Sequence, residues 1–106
     1  QIQVGVNKEA TLFRIPAGVY KTETGQFVRV AVKGFPDLAG FRRSDGKAVF
    51  IEIKTGTGRP TKEQLKFIEN AKRSGCLAGI ARSIEEAISI IKETNEIFHK
   101  EGNHDA

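Results

Sequence analysis

Two carboxylates and a lysine stand out in this sequence by their types and their spacing. Asp37 follows Pro36, and Glu52 and Lys54 interrupt the most apolar run of the chain, AVFIEIK at residues 48–54. Charged residues inside an apolar strand are costly to bury unless another group completes them. Because side chains alternate along a strand, Glu52 and Lys54 share one face and lie about 7 Å apart.

Asp37 is expected to join these two residues. Residues 37–43 and 48–54 are the predicted strands of a hairpin, and Asp45-Gly46 at the tip is a strong signal for a tight hairpin turn. Antiparallel pairing then returns Asp37 to the level of residues 52–54. The sequence therefore predicts three charged groups at one end of a sheet.

Such a set of groups has a chemical interpretation. Paired carboxylates are hard oxygen ligands that suit Mg²⁺ or Mn²⁺. A nearby lysine can stabilise a phosphate in its transition state or orient the attacking water. The groups that phosphodiester hydrolysis requires are therefore present in this set. The alternative is that Asp37 is only a turn residue after proline, and that Glu52 and Lys54 form a weak, solvated ion pair. The apolar strand that carries Glu52 and Lys54 favours the first interpretation.

A helix is predicted after the hairpin, at residues 61–74. Thr61 and Gln64 have the spacing of a capping box at its start, and Ser74-Gly75 ends it. The inward stripe of this helix is expected to consist of Leu65, Ile68 and Ala71.

A short apolar strand at residues 76–82 and a second helix at residues 83–98 are predicted next. Ser83 and Glu86 have capping-box spacing at the start of that helix. A strand, a crossover helix and a strand form a right-handed unit, in which residues 48–54 and 76–82 are parallel neighbours.

The N-terminal part has weaker patterns. Residues 11–18 are expected to be extended, and residues 19–34 are expected to form a hairpin that turns at residues 23–26. The predicted fold class is α/β, a mixed sheet in which the order β-β-α-β-α follows the first hairpin, flanked by helices.

Composition sets the limits of these predictions. With 106 residues the chain is long enough for one domain with a modest core. It contains no apolar run of about 18 residues, so we expect no membrane span. A single cysteine, Cys76, excludes an internal disulfide and suits a reducing cytoplasm. The net charge of +4 weakly favours a polyanionic partner.

Three stretches together resemble a known family of enzymes. GFPD at residues 34–37 and FIEIK at residues 50–54 resemble the PD-(D/E)xK nuclease motif, and GRPTKEQ at residues 58–64 makes the chain similar to the VRR-NUC branch of that superfamily. The resemblance runs over about residues 11–91. It implies a restriction-endonuclease-like core and a metal-dependent DNA endonuclease without an organic cofactor.

The resemblance also implies residue roles. Asp37 and Glu52 would coordinate the divalent metal, Mg²⁺ or Mn²⁺, with the backbone carbonyl of Ile53 as a further ligand. Lys54 would act on the attacking water or the scissile phosphate, and Gln64 would contact the site or the metal-bound water. Gln64 has a second interpretation as the capping residue of its helix, and we expect a side chain folded onto the N-cap not to reach the site.

Basic residues are candidates for contacts with the DNA backbone. Arg59 lies in the glycine-containing loop after Lys54, and further candidates are Lys62, Arg42 and Arg43. Related nucleases carry one more acid on an N-terminal helix. Because the chain starts with Gln1 and contains no methionine, we expect that acid to precede Gln1.

The resemblance leads to predictions about the whole chain. Residues 1–106 are expected to be a single VRR-NUC-like domain whose natural start is missing, with residues 96–106 as a polar tail. We expect a homodimer that cuts branched DNA such as four-way (Holliday) junctions, in the cytoplasm of a bacterium or of a phage-infected host cell. Two alternatives stay open: a nucleic-acid-binding module without catalysis, and an assembly domain in which the charged groups form an ion-pair network.

Overall fold

The structure, a computed structural model, describes residues 8–15, 19–21, 23–29 and 33–94. Its strands are β1 (Ala10–Arg14), β2 (Val19–Lys21), β3 (Phe27–Arg29), β4 (Leu38–Arg42), β5 (Ala48–Ile53) and β6 (Leu77–Ala81), and its helices are α1 (Lys62–Arg73) and α2 (Ile84–Lys92). The last residues of the predicted second helix, 95–98, and the predicted tail, 96–106, lie outside the described residues.

One four-stranded sheet has the order β1-β4-β5-β6. The β1–β4 and β4–β5 pairs are antiparallel, and β6 is parallel to β5. The mixed α/β sheet and the parallel crossover pair are therefore confirmed. The N-terminal hairpin is confirmed as well, since β2 pairs with β3 in a separate two-stranded sheet. The sequence did not predict that β1 joins the main sheet beside β4.

The β4–β5 hairpin turns where its residues predict. Gly46 has a φ of +79°, a conformation that glycine adopts without a steric cost. The Asp45 side chain accepts a hydrogen bond from the Lys47 backbone N–H at 3.1 Å, which closes the turn locally. The turn therefore fixes the register in which Leu38 pairs with Ile51.

Helix α1 starts and ends as expected, but one residue of its predicted inward face is wrong. Both halves of the capping box at Thr61 are present, and Ile68 and Ala71 are buried. Leu65 is instead 48% exposed, whereas Phe67 is partly buried against the core. Helical spacing allows either residue to border the buried stripe, and Phe67 is the one that meets the rings of Phe35 and Phe50.

Among the described residues, each face of the sheet is packed against one helix. The face that α2 covers holds the larger core, made of Ala10, Leu12, Leu38, Val49, Ile51, Leu77, Ala81, Ala87 and Ile91. At the start of α2, Ser83 caps the Glu86 N–H at 3.1 Å, while the Glu86 carboxylate accepts from the backbone N–H of Arg82. The predicted reciprocal bond to the Ser83 N–H is therefore displaced by one residue.

The opposite face is packed against α1 and carries the charged groups. Its smaller core consists of Ile68, Ala71 and Ala78 with partly buried neighbours that include Phe50 and Phe67. Strand alternation places Phe50 and Glu52 of β5 on this face. Within the part of the chain that the structure describes, neither helix is long and apolar enough to cross a membrane.

Candidate active site

Asp37 and Glu52 come together at one end of the β4–β5 hairpin. The pairing of Leu38 with Ile51 continues to place Asp37 beside Glu52. The Asp37 carboxylate accepts a hydrogen bond from the backbone N–H of Ile53 at 2.9 Å. The predicted convergence of Asp37 on residues 52–54 is thus seen directly.

Glu52 is buried and its two oxygens have different environments. The residue is only 3% exposed, the one buried charged side chain among the described residues. Its Oε2 accepts a hydrogen bond from Gln64 Nε2 at 2.9 Å and lies 3.6 Å from Lys54 Nζ. In the part of the chain that the structure describes, Oε1 is the one buried side-chain polar atom with no hydrogen-bond partner. A buried oxygen without a partner costs free energy, so a group that completes it would be bound favourably.

The electrostatics of Glu52 follow from this environment. Burial raises the pKa of the Glu52 carboxyl from 4.5 to about 7, the neighbouring Asp37 adds to the rise, and Lys54 opposes it. One lysine therefore does not offset the burial of a carboxyl next to a second acid. A cation at the unpartnered oxygen would favour the ionised form.

Gln64 caps its helix and reaches the site at the same time. Its amide oxygen accepts from the Thr61 backbone N–H at 2.8 Å, and its amide nitrogen donates to Glu52 Oε2 at 2.9 Å. The expectation that capping prevents contact with the site is therefore wrong, because an amide has an acceptor and a donor on opposite sides. The cap occupies the oxygen, so the NH₂ group is the one that faces Glu52.

Gly34 and three aromatic rings pack the elements that carry the site against one another. Gly34 has a φ of +85°, and a Cβ at this position would lie 2.7 Å from the backbone of Glu63 in the first turn of α1. Phe35, Phe50 and Phe67 meet edge to face, with ring centroids 5.1 to 6.0 Å apart. The chain before Asp37, strand β5 and helix α1 are thereby packed together next to the carboxylates.

Lys54 continues the sheet past the end of β5. Its backbone N–H donates to the carbonyl of Ala81 at 3.1 Å, and its side chain is 20% exposed, so the ammonium can meet a ligand from solvent. Arg82 follows Ala81 and donates to the carbonyl of Gly56 at 3.1 Å. Sequence reasoning missed Arg82, although the carboxyl ends of parallel strands meet at one sheet edge.

The candidate DNA contacts divide into two groups. Arg59 lies on the connection that starts at Lys54, and Lys62 is the first residue of α1, so both exposed residues belong to the site end of the molecule. Arg42 is the last residue of β4 and Arg43 follows it, so they lie about 17 and 20 Å from Asp37 by the strand rise.

Arg42 has a structural role at that opposite end. It donates to both Asp45 oxygens and to the backbone carbonyls of Ile91 and Glu93 at the end of α2. Four of the five guanidinium N–H groups are thereby engaged. Arg43 donates from Nε to Thr11 Oγ1 at 3.2 Å and remains exposed.

The donor set fits a hard divalent cation. Asp37 and Glu52 bring two carboxylates to one point, and Glu52 Oε1 is unpartnered. Throughout residues 8–15, 19–21, 23–29 and 33–94, no group of three or more Asp, Glu, His or Cys side chains is placed so that it could hold a metal ion. The prediction of a third acid before Gln1 lies outside the described residues.

The four-stranded mixed sheet and its two helices form a restriction-endonuclease-like core, the fold of the PD-(D/E)xK nucleases. The two carboxylates and the lysine lie at one end of its central strands. Residues 10–85 match the profile of the VRR-NUC domain, and the chain therefore belongs to the VRR-NUC family. That family is part of the PD-(D/E)xK nucleases, which generally use divalent metals. No curated protein matches the chain.

Proposed function

We propose that this domain is a divalent-metal-dependent endonuclease that hydrolyses DNA phosphodiester bonds, with Asp37, Glu52 and Lys54 at its catalytic centre. Membership of the VRR-NUC family implies a PD-(D/E)xK-type nuclease, whose substrate is DNA. The observation that carries the catalytic assignment is the buried Glu52 carboxylate, whose Oε1 has no partner among the described residues and lies in the strand beside Asp37.

Mg²⁺ or Mn²⁺ would be held by Asp37 and Glu52, with the Ile53 carbonyl as a further ligand. When bound, such an ion polarises the phosphate and lowers the pKa of a coordinated water. The protein's own contribution to this site is a carboxylate pair in fixed positions. Asp37 is held by the Ile53 N–H and Glu52 by Gln64, so neither side chain has to be ordered when the ligand arrives.

Lys54 supplies the positive charge next to the reacting phosphate. Its ammonium is 3.6 Å from Glu52 Oε2 and partly exposed, so it can stay paired with Glu52 while it contacts a phosphate oxygen or the attacking water. Gln64 acts through Glu52 as a positioning residue. Because the capping box fixes its amide, the orientation of one metal ligand depends on the first turn of α1.

Basic residues in the loop before α1 and on the exposed face of its first two turns would contact the DNA backbone. Lys62 and Lys66 are one turn apart and line a groove of about 320 Å³ with Glu63. Arg59 lies three residues before Lys62 and is exposed. Phosphate contacts of this kind position DNA without reading its sequence.

The preferred substrate in this proposal is branched DNA, cut by a homodimer. Two sites related by a twofold axis suit paired cuts in the symmetric strands of a four-way junction. Sedimentation of the protein alone and with a junction tests the assembly. A monomer on both occasions would contradict this part of the proposal and leave the nuclease activity untouched.

Cleavage assays test the activity itself. Purified protein is incubated with Mg²⁺ or Mn²⁺ and linear, flap or four-way-junction DNA, beside Lys54→Ala and Asp37→Asn variants. Arg73→Ala is the matched control, because Arg73 is an exposed cation at the far end of α1 that pairs only weakly with Glu69. Cleavage by wild type and control, lost in both site variants, is expected. DNA binding without any metal-dependent cleavage would instead identify a non-catalytic binding module.

A further inference from the structure

Half of the sheet face that carries the catalytic groups is left open by α1. The helix covers the β5–β6 half, where Ala78 is 1% exposed. On the β1–β4 half, Phe13 is 58% and Phe41 is 44% exposed. Across the described residues, the one other large apolar side chain with such exposure is Leu65 on α1. Phe13 and Phe41 are diagonal neighbours on paired strands, and a contiguous exposed apolar patch is a candidate surface for binding a partner.

The strand register places the two rings in line with the catalytic carboxylates. Cross-strand partners share a face, and here they form rows: Thr11, Phe41 and Ala48 in one, and Phe13, Ala39, Phe50 and Ala78 in the next. Asp37 and Glu52 form the row after that. Successive rows are about 7 Å apart, so Phe13 and Phe41 lie about 7 and 14 Å along the sheet from the carboxylates.

A cleft adjoins these rows where the sheet meets α1. It has a volume of about 340 Å³ and is lined by Phe50, Phe67, Asn70, Ala71, Ser74 and Cys76. Its walls are aromatic and aliphatic, while the Asn70 amide and the Ser74 hydroxyl offer donors and acceptors at its rim. Such a combination of a ring to stack on and polar groups to meet an edge suits a nucleobase.

The charge of this surface suits a nucleic acid. Arg43 is anchored by one bond from Nε to Thr11 Oγ1, in the row of Phe41, and its exposed guanidinium remains available to a phosphate. Glu9, whose backbone carbonyl accepts from the Arg43 N–H, places one acid at the same edge. The chain as a whole carries a net charge of +4. A second copy of the chain seated on this surface would bring another Arg43 to it, whereas a DNA strand brings phosphates of the opposite charge.

We propose that Phe13, Phe41 and the adjoining cleft form a stacking surface for unpaired bases of the DNA strand that enters the catalytic site. This inference rests on the proposed nuclease function and specifies its substrate. Bases within a duplex have their faces covered by their neighbours, so only unpaired nucleotides can stack on exposed rings. The surface therefore favours DNA with unpaired nucleotides near the scissile phosphate, such as a flap or a four-way junction whose branch point has opened.

A fluorescence experiment without catalysis tests the stacking surface. Wild-type protein in EDTA is titrated into a short single strand that carries 2-aminopurine, whose emission is quenched when the base stacks on an aromatic ring. Phe13→Ala and Phe41→Ala are each expected to weaken binding by about tenfold and to reduce the quenching. Phe41→Tyr should retain both, and the affinity for a fully paired duplex should not change.

Leu65→Ala is the matched control, because Leu65 is an apolar residue of similar exposure on the other flank of α1. Unchanged quenching and affinity in both phenylalanine variants would overturn the inference. It would also be overturned if those variants altered only the sedimenting mass, since the surface would then be an interface between copies. A wild-type protein that quenches but never cleaves DNA with metal would contradict the proposed nuclease function and leave the base-binding surface standing.

Discussion

The two ends of the β4–β5 hairpin each hold a carboxylate next to a basic side chain, with opposite results. At the turn, Asp45 receives two hydrogen bonds from Arg42, and this contact lowers the pKa of Asp45 to about 2. At the other end, burial and Asp37 raise the pKa of Glu52 to about 7 despite Lys54. The exposed Asp45 carboxylate has its hydrogen-bond partners and stabilises a turn. The buried Glu52 carboxylate lacks one partner, which a bound ligand could supply.

The largest expected effect is on the rate of DNA cleavage, and it distinguishes Lys54 from Arg42. Lys54→Ala is expected to slow single-turnover DNA cleavage by about 10²- to 10³-fold, because it removes the charge that stabilises the transition state. Arg42→Ala should leave the rate unchanged at a temperature where both variants are folded. Equal losses in the two variants would mean that the rate reports folding and not the site.

The second effect concerns stability and pH. A carboxyl whose pKa is raised on folding costs nothing below about pH 4.5 and its full penalty above about pH 7. Metal-free Glu52→Gln should therefore be more stable than wild type at neutral pH, by at most about 3 kcal/mol. The difference should shrink as the pH falls to 4.5, as measured by denaturant unfolding across this range.

Asp45→Asn is the control for that experiment, with the opposite sign. A carboxyl whose pKa is lowered contributes its stability above its ordinary pKa and loses it as the pH falls towards about 2. Asp45→Asn should therefore be less stable than wild type at neutral pH, and the two proteins should become equally stable only in acid. A Glu52→Gln protein that is less stable than wild type at neutral pH would show that the buried charge is already compensated.

The two halves of the capping box give the third prediction. Thr61→Ala removes one bond to the Gln64 backbone and should cost about 1 kcal/mol of stability with little effect on cleavage. Gln64→Ala also removes the donor to Glu52 Oε2, and should slow cleavage by about tenfold and move its pH optimum upward. Identical rates in both variants would restrict Gln64 to capping.

The last effect is on stability alone. Arg42→Ala removes charge-assisted bonds to two carbonyls at the end of α2, at 2.6 and 2.7 Å, and should lower the free energy of unfolding by about 1 to 2 kcal/mol. Arg43→Ala, which loses a bond of 3.2 Å to Thr11, is the exposed control and should change stability less. Chemical denaturation of the three proteins measures both differences.

Local signals in the sequence were sufficient for much of this structure. The Asp45-Gly46 turn, the Thr61 cap and strand alternation in β5 are properties of neighbouring residues, and together they placed Asp37, Glu52 and Lys54 at one sheet end. The helix that carries Gln64 was predicted for the same reason. Such features need no knowledge of distant contacts.

Contacts between distant segments were not predictable in the same way. That β1 pairs with β4, that Arg42 reaches the end of α2 and that Phe67 replaces Leu65 on the buried face all depend on which elements meet in space. Gln64 shows a different limit. Capping-box spacing does not decide whether the side chain reaches the site, because one amide can serve a helix cap and a carboxylate together.

Gly34 has a consequence for anyone who moves this site to another protein. Its backbone touches the first turn of α1 at Glu63, only one residue before Gln64, and any larger residue would push the helix away from the strand that follows Asp37. The smallest transplantable unit is therefore not three side chains but the continuous segment 34–64. A graft that copies the acids and the lysine without the glycine would carry the ligands but hold α1, and with it Gln64, too far from Glu52.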